Sequence, residues 1–297
     1  MKLLLTGASG FLGKIIKNTL NKNEVISLAR SNADINIDLT INVPQLPYVD
    51  IVIHSAGKAH SVPKTKKENL EFYTVNVDGT ANLLRGLENS YLPKSFVFIS
   101  TVAVYGKESG TLIDENTSLL AKDPYGHSKI QAEKLIKKWC EKNNVICSVL
   151  RLPLIAGPNP PGNLKSMING IKKGYYFNIA GGNAKKSIVL AEDVAHIILK
   201  AAKLGGTYNL TDNYHPSFYE LSLLISAQLN KKPPLNISYN TAKLLALMGD
   251  LIGQRSPVNS NKLKKITLDL TFDDSKARNL LGWEPNNVLK KFNIYNN

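Results

Sequence analysis

The sequence predicts an α/β fold, a doubly wound parallel sheet with a smaller, interleaved C-terminal lobe, and three observations carry that reading. A glycine-rich turn, Thr6-Gly7-Ala8-Ser9-Gly10-Phe11-Leu12-Gly13, joins a short apolar run to a segment of helical periodicity. Continuous apolar runs, which suit strands covered on both faces, then alternate with stretches whose apolar residues recur at helical spacing. After Leu152 the character of the chain changes: residues 157–162 form a Gly/Pro/Asn loop, and Pro233-Pro234 and Ser256-Pro257 punctuate the C-terminal part.

Taken in order, residues 2–5 read as the first strand and 11–20 as the first helix. Residues 24–28, 50–54, 95–100 and 145–152 read as further strands, with helices over 74–88 and 128–142. Residues 1–152 are expected to form the first domain and 153–297 mainly a second lobe, with the strand-like runs 187–190 and 207–210 bringing residues 187–210 back to the first domain.

A chain of 297 residues can bury a large core, and 43% hydrophobic with 20% charged residues excludes disordered, collagen-like and disulfide-scaffold classes. No apolar run has the length of a membrane span and the N-terminus carries no signal-peptide pattern, so the expectation is a cytoplasmic protein with no stable membrane insertion. Cys140 and Cys147 flank an Asn-Asn turn without metal-ligand spacing; they read as reduced core thiols, and no histidine pair suggests a metal. The net charge of +14 would suit nucleic acid, an anionic membrane face or a polyanionic small substrate. Lysines such as Lys14, Lys17, Lys22, Lys134, Lys137 and Lys138 are spread along several helices without interleaved aromatics, which argues for a solvated face and against nucleic acid.

The glycines carry chemistry. Gly7 permits a tight turn, Gly10 lets the backbone approach a pyrophosphate and Gly13 lets the helix pack on the strand, so Gly7, Gly10, Phe11, Leu12 and Gly13 are read as the phosphate cradle of a Rossmann-type dinucleotide site. The acid that holds an NAD ribose about 20 residues further on is missing. The second strand ends Ser27-Leu28-Ala29-Arg30-Ser31, where Arg30 suits a 2'-phosphate, so NADP(H) is favoured and NAD(H) is the alternative.

Tyr125-Gly126-His127-Ser128-Lys129 comes after Asp123-Pro124, a helix entry, and the spacing of four sets Tyr125 and Lys129 on one face. A phenol is a poor acid/base at neutral pH, and an ammonium beside it favours the phenolate. Such a couple can exchange a proton with a hydroxyl while hydride travels to or from a nicotinamide. His54, at the end of a buried strand, reads as a packed, hydrogen-bonded residue, whereas His60 in the next loop could reach a substrate.

With the Gly7/Gly10/Gly13 turn, Asp38-Leu39, His54-Ser55-Ala56-Gly57, Asn76-Val77-Asp78-Gly79-Thr80, Ser100-Thr101-Val102-Ala103-Val104-Tyr105-Gly106 and Tyr125/Lys129, the chain resembles the extended short-chain dehydrogenase/reductase family, the NAD-dependent epimerases and dehydratases, over nearly its whole length. The resemblance implies that Asp38 and Leu39 border the adenine, Ala56 lines the cofactor, and Asn76 lies in the helix supporting the active-site backbone. It further implies that Thr101 is the catalytic Ser/Thr, which hydrogen-bonds the oxygen at which carbonyl and alcohol interconvert. Tyr125 and Lys129 then serve both catalysis and cofactor binding.

In the family's dehydratases an Asp-Glu pair comes directly after that Ser/Thr. Val102 and Ala103 stand there instead, which speaks against elimination. The second lobe resembles the family's sugar-nucleotide cap through Gly157-Pro158, Gly162-Asn163, Lys185-Lys186-Ser187, Glu192-Asp193-Val194-Ala195 and Leu280-Leu281-Gly282-Trp283-Glu284-Pro285, with Asn163, Lys186 and Arg255 as candidate substrate contacts. The favoured reading is an NAD(P)-dependent reductase of an NDP-4-keto-6-deoxy sugar in polysaccharide biosynthesis, acting on a UDP-sugar, because the NADP(H) preference and short chain tilt toward net reduction. The alternative is an NAD-dependent UDP-sugar 4-epimerase. A remote alternative, a non-catalytic NAD(P) sensor, needs the glycine turn but not Thr101, Tyr125 and Lys129 together. The family pattern also implies a homodimer formed through helices that include residues 128–142.

Overall fold

The computed structural model describes residues 1–252 and 259–295. The chain opens with β1 (Lys2–Thr6), α1 (Phe11–Thr19), β2 (Glu24–Ala29), β3 (Ile35–Asn36) and β4 (Ile51–His54). It continues with α2 (Lys66–Tyr73), a π-turn at Thr74–Asp78, α3 (Gly79–Glu88), β5 (Ser95–Thr101), a 3-10 turn at Val102–Tyr105, β6 (Gly110–Ile113), α4 (Pro124–Lys142) and β7 (Ile146–Leu152). β8 (Leu154–Ala156), α5 (Gly162–Lys173), β9 (Asn178–Ile179), β10 (Ile188–Leu190), α6 (Ala191–Leu204) and β11 (Gly206–Asn209) come next. The chain ends with α7 (Phe218–Gln228), β12 (Asn236–Ile237), α8 (Tyr239–Ile252), α9 (Ser260–Thr267), β13 (Leu270–Phe272), α10 (Ser275–Leu281) and α11 (Val288–Lys291).

Seven strands form one sheet in the order β11-β7-β5-β4-β1-β2-β3, and every pairing in it is parallel. This is the doubly wound sheet that the apolar runs predict: Leu3, Leu4 and Leu5 of β1 are wholly buried because helices cover both faces. One face packs Leu12 and Ile16 of α1 with Val194 and Ile198 of α6 and with Ala277, Leu281 and Trp283 from the C-terminal segment. The other packs Leu83 and Leu87 of α3 with Ile136 and Trp139 of α4. Strand order reverses between β1 and β4, and the crevice at their carboxyl ends is where such a sheet receives ligands.

A separate core, built from Leu164 and Met167 of α5, Leu190, Leu221, Ile225 and Phe292, holds the smaller lobe together. β10 pairs with β8 in a sheet of its own, whereas β11 pairs with β7 at the edge of the main sheet. Among the described residues no helix is long and apolar enough to cross a membrane.

The predicted helix over 74–88 is different in detail. The helical path starts at Lys66, where Thr65 Oγ1 accepts from Glu68 N at 3.1 Å, and one π-turn interrupts it before α3. Phe72 alone is buried in α2, so its polar sequence shows no apolar period.

Candidate active site

The glycine turn lies hard against the end of β4. Gly7 has φ +71°, and a Cβ there would sit 2.7 Å from Ala56 N. A Cβ on Gly13 would lie 2.1 Å from the Gly7 carbonyl oxygen, which is how α1 can start so close to β1. Gly10 is the N-cap of α1 and offers no side-chain acceptor to the helix amides. A turn whose three glycines carry no Cβ, at a helix N-terminus that no side chain caps, fits the diphosphate of a dinucleotide, which when bound supplies a nicotinamide that accepts or returns a hydride.

The flanking candidates cluster at the next strand ends. Asp38 accepts from Thr40 N at 2.9 Å and Thr40 Oγ1 at 2.7 Å, and these bonds hold its carboxyl below the usual range, with the nearby Arg30 guanidinium acting in the same direction. Leu39 is buried, and its carbonyl accepts from Asn82 Nδ2 at 2.7 Å. Arg30 is exposed just past β2.

Thr101 ends β5, and its Oγ1 accepts from Ala103 N at 3.2 Å, turning the chain into the 3-10 turn. Asp123 caps α4 by accepting from Gly126 N at 2.9 Å, and Pro124 occupies the first turn, so Tyr125 emerges at the helix entry. Burial pushes the Tyr125 phenol up, the Thr101 hydroxyl beside it pulls it back, and Asp123 pushes it up. Lys129, one turn on, is buried; its Nζ donates to the Ile99 carbonyl at 2.6 Å and lies 3.9 Å above the Phe98 ring centre. Burial brings this ammonium down to about 7 against the opposing pull of Glu133. As the side chains stand, Thr101 and not Lys129 favours the phenolate, because the lysine is turned toward β5.

Asn76, buried in the π-turn, ties these pieces together. Its Oδ1 accepts from Lys58 N at 2.7 Å, and its Nδ2 donates to the Lys58 carbonyl at 3.1 Å and to Ser128 Oγ at 2.9 Å. Ser128 Oγ in turn donates to the Tyr125 carbonyl at 2.8 Å. The loop after β4 is thereby joined to the first turn of α4, which supports the backbone beside Tyr125 and Lys129.

His54 is a packed side chain. Thr80 Oγ1 donates to the Asn76 carbonyl at 2.7 Å and therefore accepts from His54 Nε2 at 2.9 Å; Nδ1 accepts from Thr6 Oγ1 at 2.6 Å. Burial, helped by the Lys129 charge, lowers this imidazole to about 3. Between about 3 and its ordinary 6.5 the unfolded chain binds a proton that the folded protein refuses, so stability is lost as pH falls through that window. This group alone is expected to remove about 2 kcal/mol between pH 7.5 and pH 5. Urea unfolding of the wild type and of His54→Gln at both pH values checks it; an equal loss in the two proteins would exclude the histidine as the source.

Behind the couple lies a buried network that inspection of the sequence missed. Glu133 accepts from Ser100 Oγ at 2.6 Å, from Arg151 Nε at 3.1 Å and from Arg151 Nη2 at 2.7 Å. Arg151 Nη1 donates to Tyr105 OH at 3.0 Å, and Tyr105 donates to Asn209 Oδ1 at 2.7 Å. The available signal was Glu133 four residues after Lys129, on the same helix face.

The lobe candidates are dispersed. Asn163 is exposed in the first turn of α5, next to Gly162, where a Cβ would lie 2.6 Å from His60 Nδ1. Lys186 is buried, and its Nζ donates to the carbonyls of Lys265 and Leu268 at 2.9 and 2.8 Å, at the C-terminal end of α9. Its ammonium thus holds α9 to the lobe. Arg255 lies outside the described residues.

With the cradle and couple located, comparison with known proteins decides the family. The model of the NAD dependent epimerase/dehydratase family matches residues 3–211. The chain belongs to that family. Members are nicotinamide-dependent enzymes of nucleotide sugars, in agreement with the extended short-chain dehydrogenase/reductase motifs. Among its relatives in the epimerase/dehydratase family, the N-acetyl-alpha-D-glucosaminyl-diphospho-ditrans,octacis-undecaprenol 4-epimerase of Escherichia coli O157:H7 is 26% identical, over 93% of this chain and 88% of that one. The UDP-glucose 4-epimerase of Vibrio cholerae is 27% identical, over 97% and 92%. Of solved structures, the UDP-glucose 4-epimerase of Thermotoga maritima with UDP-glucose aligns at TM-score 0.76 and 22% identity, covering 98% of this chain and 96% of that one. RMD from Pseudomonas aeruginosa complexed with NADPH aligns at TM-score 0.73 and 21% identity, covering 98% and 96%.

Proposed function

We propose that this member of the epimerase/dehydratase family is a 4-epimerase of a hexose carried on a diphosphate, with a UDP-hexose as first choice of substrate. The observation that carries the reading is Tyr125 beside Thr101 at the end of β5, succeeded by a 3-10 turn in which Val102 and Ala103 offer no acid for elimination. The Tyr125 phenol takes and returns the proton of the sugar hydroxyl, and Thr101 Oγ1 hydrogen-bonds the same oxygen. Lys129 holds the cofactor ribose, while Thr101 biases the proton on Tyr125. Asn163, exposed at the first turn of α5, is the proposed contact to the diphosphate. Both relatives named above are 4-epimerases, which moves this reading ahead of the 4-keto reductase that the sequence favoured.

Reduction of a 4-keto sugar is kept as a second reading because Arg30 stands where a 2'-phosphate of NADP(H) would be met. Incubation with UDP-glucose and UDP-N-acetylglucosamine should yield the 4-epimers with no net change in reduced nicotinamide; stoichiometric NADPH oxidation with a UDP-4-keto-6-deoxyhexose, and no epimer, would establish the reductase instead. One relative's name places its sugar on undecaprenol diphosphate, and the exposed leucines of α8 make that lipid-linked sugar the third substrate to assay. Arg30→Ala separates the cofactors: if NADP(H) is used, its dissociation constant should rise about tenfold while that of NAD(H) stays within about twofold.

A further inference from the structure

α8 buries its small residues and exposes its large ones. Ala242 and Ala246 pack on Leu263 of α9 and on Ile179 and Ile237, and Gly249 continues the same buried face. On the opposite face Leu244 is 62% exposed, Leu247 52% and Met248 59%, at spacing i, i+3, i+4, with Leu245 at their flank. A helix packed on a soluble domain ordinarily turns such side chains inward. Burying side chains of this kind is favourable, so such a face marks a docking surface.

The charges around it select the occupant. Lys243 stands on α8 itself, Lys264 and Lys265 are exposed on the adjoining α9, and Lys231 and Lys232 precede the helix together with the exposed Leu235. The carboxylate of Asp250 is engaged by Ser260 N at 3.0 Å and Ser260 Oγ at 2.6 Å, and Glu108 is paired with Lys265 at 3.3 Å. A second copy of a chain with net charge +14 would set the same lysines against each other.

We propose that this face docks on the surface of a phospholipid bilayer with anionic headgroups. α8 lies in the interfacial plane with Leu244, Leu247 and Met248 at the headgroup/acyl boundary, while the lysines reach the phosphates. Each lysine at such a surface strengthens the attraction to anionic headgroups, and the effect weakens with salt. The inference does not depend on which sugar reaction the enzyme performs.

The test is co-sedimentation of the full chain with vesicles of phosphatidylcholine mixed with phosphatidylglycerol, and with vesicles of phosphatidylcholine alone. The wild type is expected to bind the mixed vesicles about tenfold or more tightly, with affinity falling as salt rises. The Leu244→Gln, Leu247→Gln, Met248→Gln triple variant should lose about tenfold or more of that affinity while binding dinucleotide as the wild type does. Lys243→Glu with Lys264→Glu should flatten the salt dependence. Absence of binding by the wild type, or equal binding by the triple variant, overturns the proposal. So does a wild-type dimer that the triple substitution dissolves without changing vesicle binding, which would assign the face to a second copy.

Discussion

Tyr125→Phe is expected to lower turnover by about a hundredfold or more, the range for removing a positioned acid/base, with cofactor affinity held within about twofold. The ring survives the change: its packing beside Phe72, at 6.2 Å between ring centres, does not involve the hydroxyl. Lys129 keeps its bond to Ile99 and its place over Phe98, so the groups proposed to hold the cofactor stay where they are. The oxygen that exchanges a proton with the substrate is what disappears. Initial rates of 4-epimer formation, set beside dinucleotide binding monitored by fluorescence, check both halves. A turnover within about threefold of wild type would sink the role given to Tyr125. A loss of dinucleotide binding as large as the loss of turnover would mean that the ring, and not its proton, is what matters.

The largest effect on stability is expected at Glu133. Its side chain is 1% exposed and that of Arg151 is 3%, and the two meet through both carboxylate oxygens. Glu133→Ala leaves a guanidinium in the interior without its counter-charge, which costs about 3–5 kcal/mol. Replacing both residues, as in Glu133→Leu with Arg151→Met, removes the stranded charge as well as the pair, so much of the loss should return. Chemical denaturation of the wild type and the two variants measures this. If the double variant is no more stable than Glu133→Ala, the cost lies in lost packing and not in the unpaired charge. Glu133 also favours the charged form of Lys129, so Glu133→Gln should shift that ammonium further down and, because the charged lysine is the form that serves the site, move the alkaline limb of the rate profile to lower pH.

The features legible directly in the sequence were those set by near neighbours in the chain. The glycine turn is one: strand, turn and helix are contiguous, and the need for Gly7 and Gly13 arises from backbone approach within that single unit. The Tyr125/Lys129 couple is another, because four residues make one helical turn and Asp123-Pro124 announces the helix start. The buried strands showed themselves because a parallel sheet covered on both faces demands continuous apolar runs.

Four matters were decided only when distant segments met. The π-turn that carries Asn76 depends on the loop after β4 and on Ser128, and no local propensity encodes it. Arg151 finds Glu133 across the join between β7 and α4, although each alone looks like an ordinary surface ion in the sequence. Lys186 is held by two carbonyls of α9 and the residue just past it, far along the chain. That α8 turns Ala242, Ala246 and Gly249 toward the lobe and its leucines outward depends on the residues it packs against. Sequence by itself determined the fold class, the glycine turn between β1 and α1 and the helix start that sets Tyr125 and Lys129 one turn apart, whose physics is local in the chain. Tertiary structure decided which polar groups are paired, which lysines are engaged by carbonyls and which helix face is left for a partner, because burial is a property of what packs against a residue and not of the residue.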